Sequence, residues 1–419
     1  MTEALRSVWI VNHYAGDPAE TASGSRHFSL ARELAACGWT PTIVAASVEH
    51  NTSRQRLTDG ERIGTTRRDG VTFRWLRTST YGGNGIGRIV NILQFTAALL
   101  GRRWSRDLPE PDVVVGSTVH PLAALAASRI ARRHRVPFVF EIRDLWPQTL
   151  IDMGKISPRG PVARVLRQIE RRLCDRATTV VTLLPDAGRY LTGRGVPAEK
   201  IVWISNGTDS AEFAAAPRVR RPGDGFVFLY LGSLGNANGV HTIIRAFAQV
   251  EDPTAVLRIV GSGPQREALR TLASELGVQD RVRFDEPVPK QQVPEVTAAA
   301  DALLVNLLDL PIYAYGISLN KVFDYLASAR PIIIASNASN NPVRDADAGL
   351  TVPADSAHGL AAAMNRVVAA GDDERARWGR NAVAHVREHY DYTVLGGRFD
   401  ALLRAATRAA AREREGVAE

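Results

Sequence analysis

Long apolar runs that do not alternate with polar residues recur along this chain, and each precedes a loop and a segment with helical periodicity. The first example is the apolar run 7–15, a glycine-containing loop, a helical pattern over 28–35 and a second apolar run over 40–47. Continuous apolar runs are typical of parallel strands covered by helices on both faces. The pattern therefore predicts an α/β fold with doubly wound parallel sheets.

The pattern stops at 214–225, where the chain is rich in Pro, Arg and Gly, and then restarts. A chain of 419 residues is also too long for one ordinary core. We predict two Rossmann-like domains that face each other across a cleft, over residues 1–208 and 209–390, and a C-terminal helix within 391–419 that packs back on the first domain. Ligands of such sheets bind at the carboxyl ends of the strands, so the loops after strands are the candidate site.

The composition favours a globular protein, with 45% hydrophobic and 23% charged residues. Cys37 and Cys174 are far apart and share no spacing with histidines, so we expect neither a disulfide framework nor a metal site. The N-terminus lacks the basic and apolar pattern of a secretory signal, which favours a cytoplasmic protein. The net charge of +8 favours an anionic partner.

One stretch, 84–106, holds Arg88, Arg102, Arg103 and Arg106 and no acid, around the apolar run 89–100. The run is far shorter than the ~20 residues that span a bilayer. Two interpretations stay open: a helix that lies on a membrane surface, and an ordinary helix with solvated arginines. Nucleic-acid binding is not expected, because no recognition motif is present and the other arginines are dispersed.

Two glycine-bearing turns, GSLGNANG at 232–239 and GSGP at 261–264, each follow a strand and precede a helix. Backbone N–H groups and a helix N-terminus at such turns bind phosphate, although glycine also serves turn geometry alone. The predicted donor-binding residues in these turns are Gly232, Ser233, Asn238, Gly261 and Gly263.

The loop before the first helix, ASGSR at 22–26, offers the backbone near Gly24 and the side chain of Arg26 to a phosphate in the same way. Neither a Walker pattern nor a GxGxxG motif after the first strand is present. This argues against an ATPase and a nicotinamide dehydrogenase.

The segment GISLNKVFDYLA at 316–327 predicts a helix that is capped by Ser318 or Asn320. We also assign Ser318, Asn320 and Asp324 to the donor-binding site. Lys321 and Asp324 are three residues apart and share a helical face. We interpret the lysine as a ligand of phosphates and the carboxylate as an acceptor for ribose hydroxyls. The alternative is a surface ion pair that contributes about 0.2–0.5 kcal/mol.

The cluster EIRDLWP at 141–147 follows an apolar run and is unusually polar for the end of a strand. Arg143 is predicted to clamp a phosphate, and Asp144 to bond a sugar hydroxyl or an attacking hydroxyl. A structural Arg–Asp pair is the alternative. His120 also follows a predicted strand, and we weigh a catalytic role against a structural one equally.

With these motifs, the chain from about Val8 to Arg398 resembles the retaining two-domain glycosyltransferases of family four, which have the GT-B fold. It is most similar to the branch that contains the L-fucosamine transferases of O-antigen and capsule assembly. The segments that carry this resemblance are NHYA, SGSRH, EIRDLWP, SNGTD, YLGSLGNANGV, VGSGP and NKVFDYLASARPIII.

The resemblance implies a bacterial hexosyltransferase of polysaccharide biosynthesis, with a nucleotide-sugar donor held mainly by the C-terminal domain. UDP is the favoured nucleotide by analogy, and transfer proceeds with retention and without a metal. The acceptor is expected to be a glycan, a polyprenyl-linked glycan or a small molecule. The protein would act in the cytoplasm or peripherally on the inner face of the membrane, through 84–106.

The chain departs from the family pattern at the diphosphate site. Ser233 and Asn238 replace the usual Arg and Lys, and Gly316 replaces the first of two glutamates. We therefore assign the diphosphate to Arg143, Lys321 and backbone amides. Two alternatives remain: a non-catalytic nucleotide-sugar-binding subunit, and an epimerase or hydrolase of the same fold.

Overall fold

A computed structural model describes residues 6–18, 25–49, 52–83, 85–118, 120–216 and 225–416. It contains two compact units. The first runs to Ser205 and includes the chain from Leu395 onward, and the second comprises Asn206–Val394. The sequence prediction placed the two boundaries after residues 208 and 390. The predicted linker lies partly at 217–224, outside the described residues.

The first unit is built on an eight-stranded sheet in the order β3-β4-β2-β1-β5-β6-β7-β8. All neighbours are parallel except β3 and β4. The strands are β1 (Arg6–Val11), β2 (Trp39–Ala46), β3 (Ile63–Arg68), β4 (Val71–Leu76), β5 (Val113–Ser117), β6 (Phe138–Ile142), β7 (Thr179–Thr182) and β8 (Ile201–Trp203).

Helices connect these strands. They are α1 (Ser25–Ala36), α2 (Ile86–Leu100), α3 (Pro121–His134), α4 (Gln148–Asp152), α5 (Pro161–Arg176) and α6 (Ala187–Thr192). The last helix of the chain, α15 (Tyr392–Gly416), adds to the unit from Leu395 onward. The Trp39 indole N–H donates to Asp400 on this helix at 2.6 Å, and Arg404 donates to the Cys37 carbonyl at 2.7 Å.

The second unit has a six-stranded, fully parallel sheet in the order β11-β10-β9-β12-β13-β14. Its strands are β9 (Val227–Leu231), β10 (Val256–Val260), β11 (Val282–Asp285), β12 (Ala302–Asn306), β13 (Ile332–Ala335) and β14 (Gly349–Val352). Its helices are α7 (Ser210–Ala214), α8 (Val240–Phe247), α9 (Arg266–Glu275), α10 (Val293–Ala298), α11 (Asn320–Ala327), α12 (Pro342–Asp345), α13 (Ala357–Ala369) and α14 (Asp372–His389).

Alternate residues of the central strand β9 enter different cores of the second unit. Phe228 and Tyr230 belong to one buried cluster, whereas Val227 and Leu229 belong to the other. Since both faces of the strand are covered, every position along it favours an apolar residue. This explains the continuous apolar runs, and the prediction of two Rossmann-like parallel-sheet domains is confirmed.

The antiparallel hairpin of β3 and β4 was not anticipated from the sequence. It turns through Asp69 and Gly70, whose φ angles are +46° and +78°. Asp-Gly between two strands is a strong hairpin signal, because both residues tolerate positive φ. The signal was therefore present, but β3 is mostly exposed and lacks an apolar run.

A buried ionic network ties α1 to the sheet of the first unit. The Arg26 guanidinium donates to Glu141 at 2.9 Å and to the carbonyls of Ile204 and Ser205. His27 donates to the other oxygen of Glu141 at 2.6 Å. Burial alone would raise the pKa of Glu141, but the charge of Arg26 and the contact with His27 hold that pKa well below its usual value.

We expect Arg26→Met to lower the free energy of unfolding of the first unit by about 3–5 kcal/mol, because it leaves the Glu141 charge buried without its cation. Urea unfolding followed by tryptophan fluorescence reports this unit, which holds all of the seven tryptophans except Trp378. Arg32→Met on the same helix breaks a more exposed pair with Glu33 and should cost less than about 1 kcal/mol. Equal losses in the two variants would contradict the assignment.

Candidate active site

The turns after β9 and β10 pack directly against each other at the carboxyl edge of the second sheet. The Gly232 amide donates to the Val260 carbonyl at 2.9 Å, and the Leu234 amide donates to the Ser262 carbonyl at 2.8 Å. Gly232 and Gly261 have φ angles of +151° and +148°. A Cβ on Gly261 would collide with the Gly232 carbonyl, so this glycine is required by loop packing.

Lys321 extends from α11 to the first of these turns. Its Nζ donates to the Tyr230 hydroxyl at 2.9 Å and to Asn238 Oδ1 at 3.1 Å. The Tyr230 hydroxyl in turn donates to the Ser233 carbonyl at 2.8 Å. A Cβ on Gly232 would lie 2.9 Å from Nζ, so glycine leaves room for the ammonium group.

The environment of Lys321 contains neutral hydrogen-bond partners and, within the described ranges, no carboxylate partner. Desolvation by burial lowers the pKa of Lys321 to about 7. A lysine with this environment gains a counter-charge when an anion binds beside it, and the anion then favours the protonated form. The predicted donor-binding residues Gly232, Ser233 and Asn238 therefore lie around one cation.

Asp324, predicted to act with Lys321, has different partners. Its Oδ1 accepts from the Thr208 hydroxyl at 2.8 Å and from Lys290 Nζ at 2.5 Å. The carboxylate side chain is 7% exposed. The two residues share a helix but do not form the surface ion pair of the alternative interpretation. The predicted ribose role of Asp324 stays a prediction.

The predicted helix cap is wrong. Leu319 occupies the N-cap position of α11, and no side chain bonds the free amides there. The Ser318 hydroxyl instead accepts from the Asn206 amide at 2.8 Å, and the Ser318 carbonyl accepts from Asn206 Nδ2 at 2.6 Å. Asn320 is the exposed first residue of the helix. Gly263 belongs to the second glycine turn, and a Cβ there would collide with the backbone of Leu234.

In the first unit, the predicted residues follow two neighbouring strands, β5 and β6. His120 follows β5 as the N-cap residue of α3, while Arg143 and Asp144 follow β6. The Arg143 amide donates to the Thr118 hydroxyl at 3.0 Å. Its guanidinium makes no hydrogen bond in the part of the chain that the structure describes, and Asp144 is exposed. The predicted structural Arg–Asp ion pair is not formed at these residues.

The predicted phosphate contact of the loop at 22–26 is not supported by the position of Arg26. Gly24 lies outside the described residues. Arg26 was expected to contact a phosphate, and this is wrong for the present structure because its guanidinium is buried against Glu141 and two carbonyls. The sequence does not distinguish an arginine at a helix start that contacts a ligand from one that is buried in the core.

Three residues that contact the predicted site residues were not anticipated from the sequence: Tyr230, Lys290 and His13. Tyr230 lies inside an apolar run, where a tyrosine is indistinguishable from a core aromatic. Lys290 is 34 residues from Asp324, so no local spacing connects them. His13 follows the first strand, and its position at a strand end was a signal that could have found it.

The described residues contain no group of three His, Cys, Asp or Glu side chains suited to hold a metal ion. No helix within the described ranges combines the length and the apolarity needed to cross a bilayer.

Two families match the chain in succession. The family described as "Glycosyl transferase 4-like domain" matches residues 23–207, and "Glycosyl transferases group 1" matches residues 213–385. The chain belongs to the family-four glycosyltransferases. Members of this family are enzymes, so membership argues against the alternative of a non-catalytic nucleotide-sugar-binding subunit.

One relative of this glycosyltransferase is the D-inositol 3-phosphate glycosyltransferase of Acidothermus cellulolyticus. It is 28% identical over 347 residues, which cover 77% of this chain and 75% of the relative. Among solved structures, sucrose-phosphate synthase from Thermosynechococcus elongatus has a TM-score of 0.75 at 19% identity, and the match covers 96% of this chain and 100% of that one. Anabaena HepE in complex with UDP and glucose has a TM-score of 0.66 at 14% identity, with coverage of 96% and 100%. These neighbours have the GT-B fold.

We expect Asp324→Ala to lower the free energy of unfolding of the second unit by about 3 kcal/mol, because Lys290 loses its buried counter-ion. Hydrogen exchange in urea, read by mass spectrometry on peptides of the second unit, would measure this. The double variant with Lys290→Met should recover part of the loss, and Asp345→Ala, from an exposed pair with Arg344, is the matched control.

The same variant tests the ribose prediction. An unchanged nucleotide-sugar dissociation constant, measured on folded Asp324→Ala protein, would remove Asp324 from the donor site and leave only its structural contact with Lys290.

Proposed function

We propose that this glycosyltransferase transfers a hexosyl group from a nucleotide-diphosphate sugar, with UDP as the favoured nucleotide. The acceptor is a glycan, a polyprenyl-linked glycan or a small molecule, and the anomeric configuration is retained. The likeness to the L-fucosamine transferase branch belongs to this proposal. The observation that carries it is the Lys321 ammonium group, held beside Gly232 by neutral partners.

The chemistry of the reaction explains why such a cation is needed. The bond between the anomeric carbon and the phosphate oxygen breaks, and negative charge grows on the departing diphosphate. Preorganised cations and N–H dipoles stabilise that charge, typically by an effect of ~10²–10³ in turnover for each donor removed. We assign this task in the second unit to Lys321 and the backbone amides near Gly232.

The first unit supplies a second set of groups in this proposal. The Arg143 guanidinium suits an anionic group, since its N–H donors have no hydrogen-bond partner in the described ranges. Asp144 is exposed and suits a sugar hydroxyl, and His120 offers a ring nitrogen. The acceptor hydroxyl loses its proton as the new glycosidic bond forms, and a base accepts that proton.

We expect Lys321→Met to lower turnover at least ~100-fold, because the leaving diphosphate loses its cation. The donor for this assay is the nucleotide sugar that gives the largest thermal shift in a panel of UDP-, GDP- and TDP-sugars, since a bound ligand stabilises the folded protein. Lys155→Met, an exposed lysine, is the control. Near-normal turnover of Lys321→Met would refute the role.

Donor binding should also take up a proton above pH 7. The pKa of Lys321 in the free protein is about 7, and a bound diphosphate raises it. At pH 8 the free lysine is mostly neutral, so affinity falls as pH rises through this range. Titration calorimetry in two buffers of different ionisation enthalpy should detect uptake by the natural protein and none by Lys321→Met.

For access to a polyprenyl-linked acceptor, we propose that α2 contacts an anionic phospholipid surface. Ile86, Ile89 and Leu93 are exposed by 80%, 57% and 52%, and they recur on one side of the helix. Arg102, Arg103 and Arg106 follow the helix and are exposed, and the segment 85–106 contains no acid. Exposed apolar side chains with neighbouring cations are the features that bind helices to acidic bilayers.

We expect the double variant Ile89→Glu and Leu93→Glu to lower binding to phosphatidylglycerol vesicles at least ~10-fold, because two apolar anchors become charged. Co-sedimentation measures the bound fraction. Val165→Glu on α5 is matched in exposure, 56% against 57% for Ile89, and should bind as the natural protein does. Equal binding by the double variant and the natural protein would favour a solvated domain helix.

A further inference from the structure

Three buried side chains form a chain of hydrogen bonds at the carboxyl edge of the first sheet. The Asn91 side-chain oxygen, Oδ1, lies 2.7 Å from His13 Nε2, and His13 Nδ1 lies 2.8 Å from His120 Nε2. The exposed fractions of Asn91, His13 and His120 are 0%, 2% and 5%. His13 follows β1, Asn91 lies on α2, and His120 precedes α3.

The direction of these hydrogen bonds follows from the contact between Asn91 and Ser79. Asn91 Nδ2 donates to the Ser79 carbonyl at 2.6 Å, so Oδ1 is the atom that faces His13. An amide oxygen only accepts, and therefore His13 Nε2 carries a proton. In a neutral imidazole the other nitrogen then has the lone pair, so His13 Nδ1 accepts from His120 Nε2.

The same reasoning leaves His120 with an unprotonated Nδ1. This atom is buried and has no hydrogen-bond partner among the described residues. His120 is the N-cap residue of α3, yet its side chain does not accept from the amides of that helix. A buried acceptor without a donor is destabilising, and a donor from a bound molecule removes that cost.

The His120 ring is expected to be neutral where the enzyme works. Burial, with a smaller contribution from the charge of Arg88, lowers the pKa of His120 to about 4. The Arg88 Nε donates to the Tyr14 hydroxyl at 3.0 Å, and Tyr14 packs on the His13 ring at 4.4 Å between centroids. A cation already lies beside the pair, which disfavours a second one.

We propose that His13 and Asn91 are positioning residues that hold His120 in the Nε2-protonated form, so that its Nδ1 accepts a hydrogen bond from a hydroxyl group of the bound sugar substrate. This inference rests on the proposed function for the identity of the substrate. The protonation pattern itself rests on the three side chains alone, and it is tested separately.

The first experiment reads the protonation pattern by ¹⁵N NMR of the full chain with labelled histidine. The His120 resonances are assigned with His120→Gln. In the natural protein we expect the chemical shift of an unprotonated nitrogen at Nδ1 and of a protonated one at Nε2. The opposite pattern would overturn the inference.

Variants of Asn91 sharpen this test. Asn91→Leu removes the acceptor of His13 Nε2, so His13 should move its proton to Nδ1 and donate to His120, which places the His120 proton on Nδ1. Asn91→Asp gives His13 a carboxylate partner, which favours the doubly protonated His13 ring. His13 Nδ1 then donates to His120, so this variant should also place the His120 proton on Nδ1. Gln94→Leu is the matched control on the same helix, because the Gln94 amide also bonds Ser79 but touches neither ring.

The second experiment measures transfer with the same variants. We expect Asn91→Leu to lower kcat/KM at least ~10-fold, because a donor N–H then faces the substrate hydroxyl. Asn91→Asp, which is expected to invert the same pattern, should lower kcat/KM as well. An Asn91→Leu protein that inverts the His120 pattern yet keeps its kcat/KM would overturn the inference. A natural protein that transfers no sugar from any donor would overturn the proposed function and leave the NMR result intact.

Discussion

Parallel strands deliver the loops that follow them to one edge of a sheet, and this constraint positions the candidate residues of this glycosyltransferase within each unit. In the second unit β9 lies between β10 and β12. The turn after β9, the turn after β10 and the segment after β12 that leads to α11 therefore meet, which brings Gly232, Gly261 and Lys321 together. In the first unit β1, β5 and β6 are consecutive, and His13, His120 and Arg143 follow them in the same order.

Two kinds of buried or half-buried cation differ in their partners. Arg26 with Glu141, and Lys290 with Asp324, are paired inside the protein, where a missing partner would destabilise the fold strongly. In the described ranges, Lys321 has no carboxylate partner, and the Arg143 guanidinium has no hydrogen-bonded carboxylate. A cation without a hydrogen-bonded carboxylate, with a lowered pKa in the case of Lys321, is the kind of group that binds an anionic ligand. This contrast separates structural charges from candidate functional ones.

Much of the fold could be predicted because its signal is local. Apolar runs and helical periodicity gave the two parallel-sheet domains, and the glycines marked the turns at 232–239 and 261–264. The β3–β4 hairpin was missed because β3 is mostly exposed and carries no apolar run. In the site, the spacing of Lys321 and Asp324 suggested joint action, but each has partners from distant segments that spacing does not reveal.

The sequence by itself determined the parallel-sheet architecture, the glycine turns and the residue types at the strand ends, because these depend on periodicity and on backbone sterics over a few residues. Only the tertiary structure decided that Arg26 is buried against Glu141 while Lys321 faces neutral groups. It also decided that Asn91, 78 residues from His13, contacts His13, which in turn contacts His120. Electrostatics and hydrogen-bond direction depend on which distant groups come into contact, and the strand order sets those contacts.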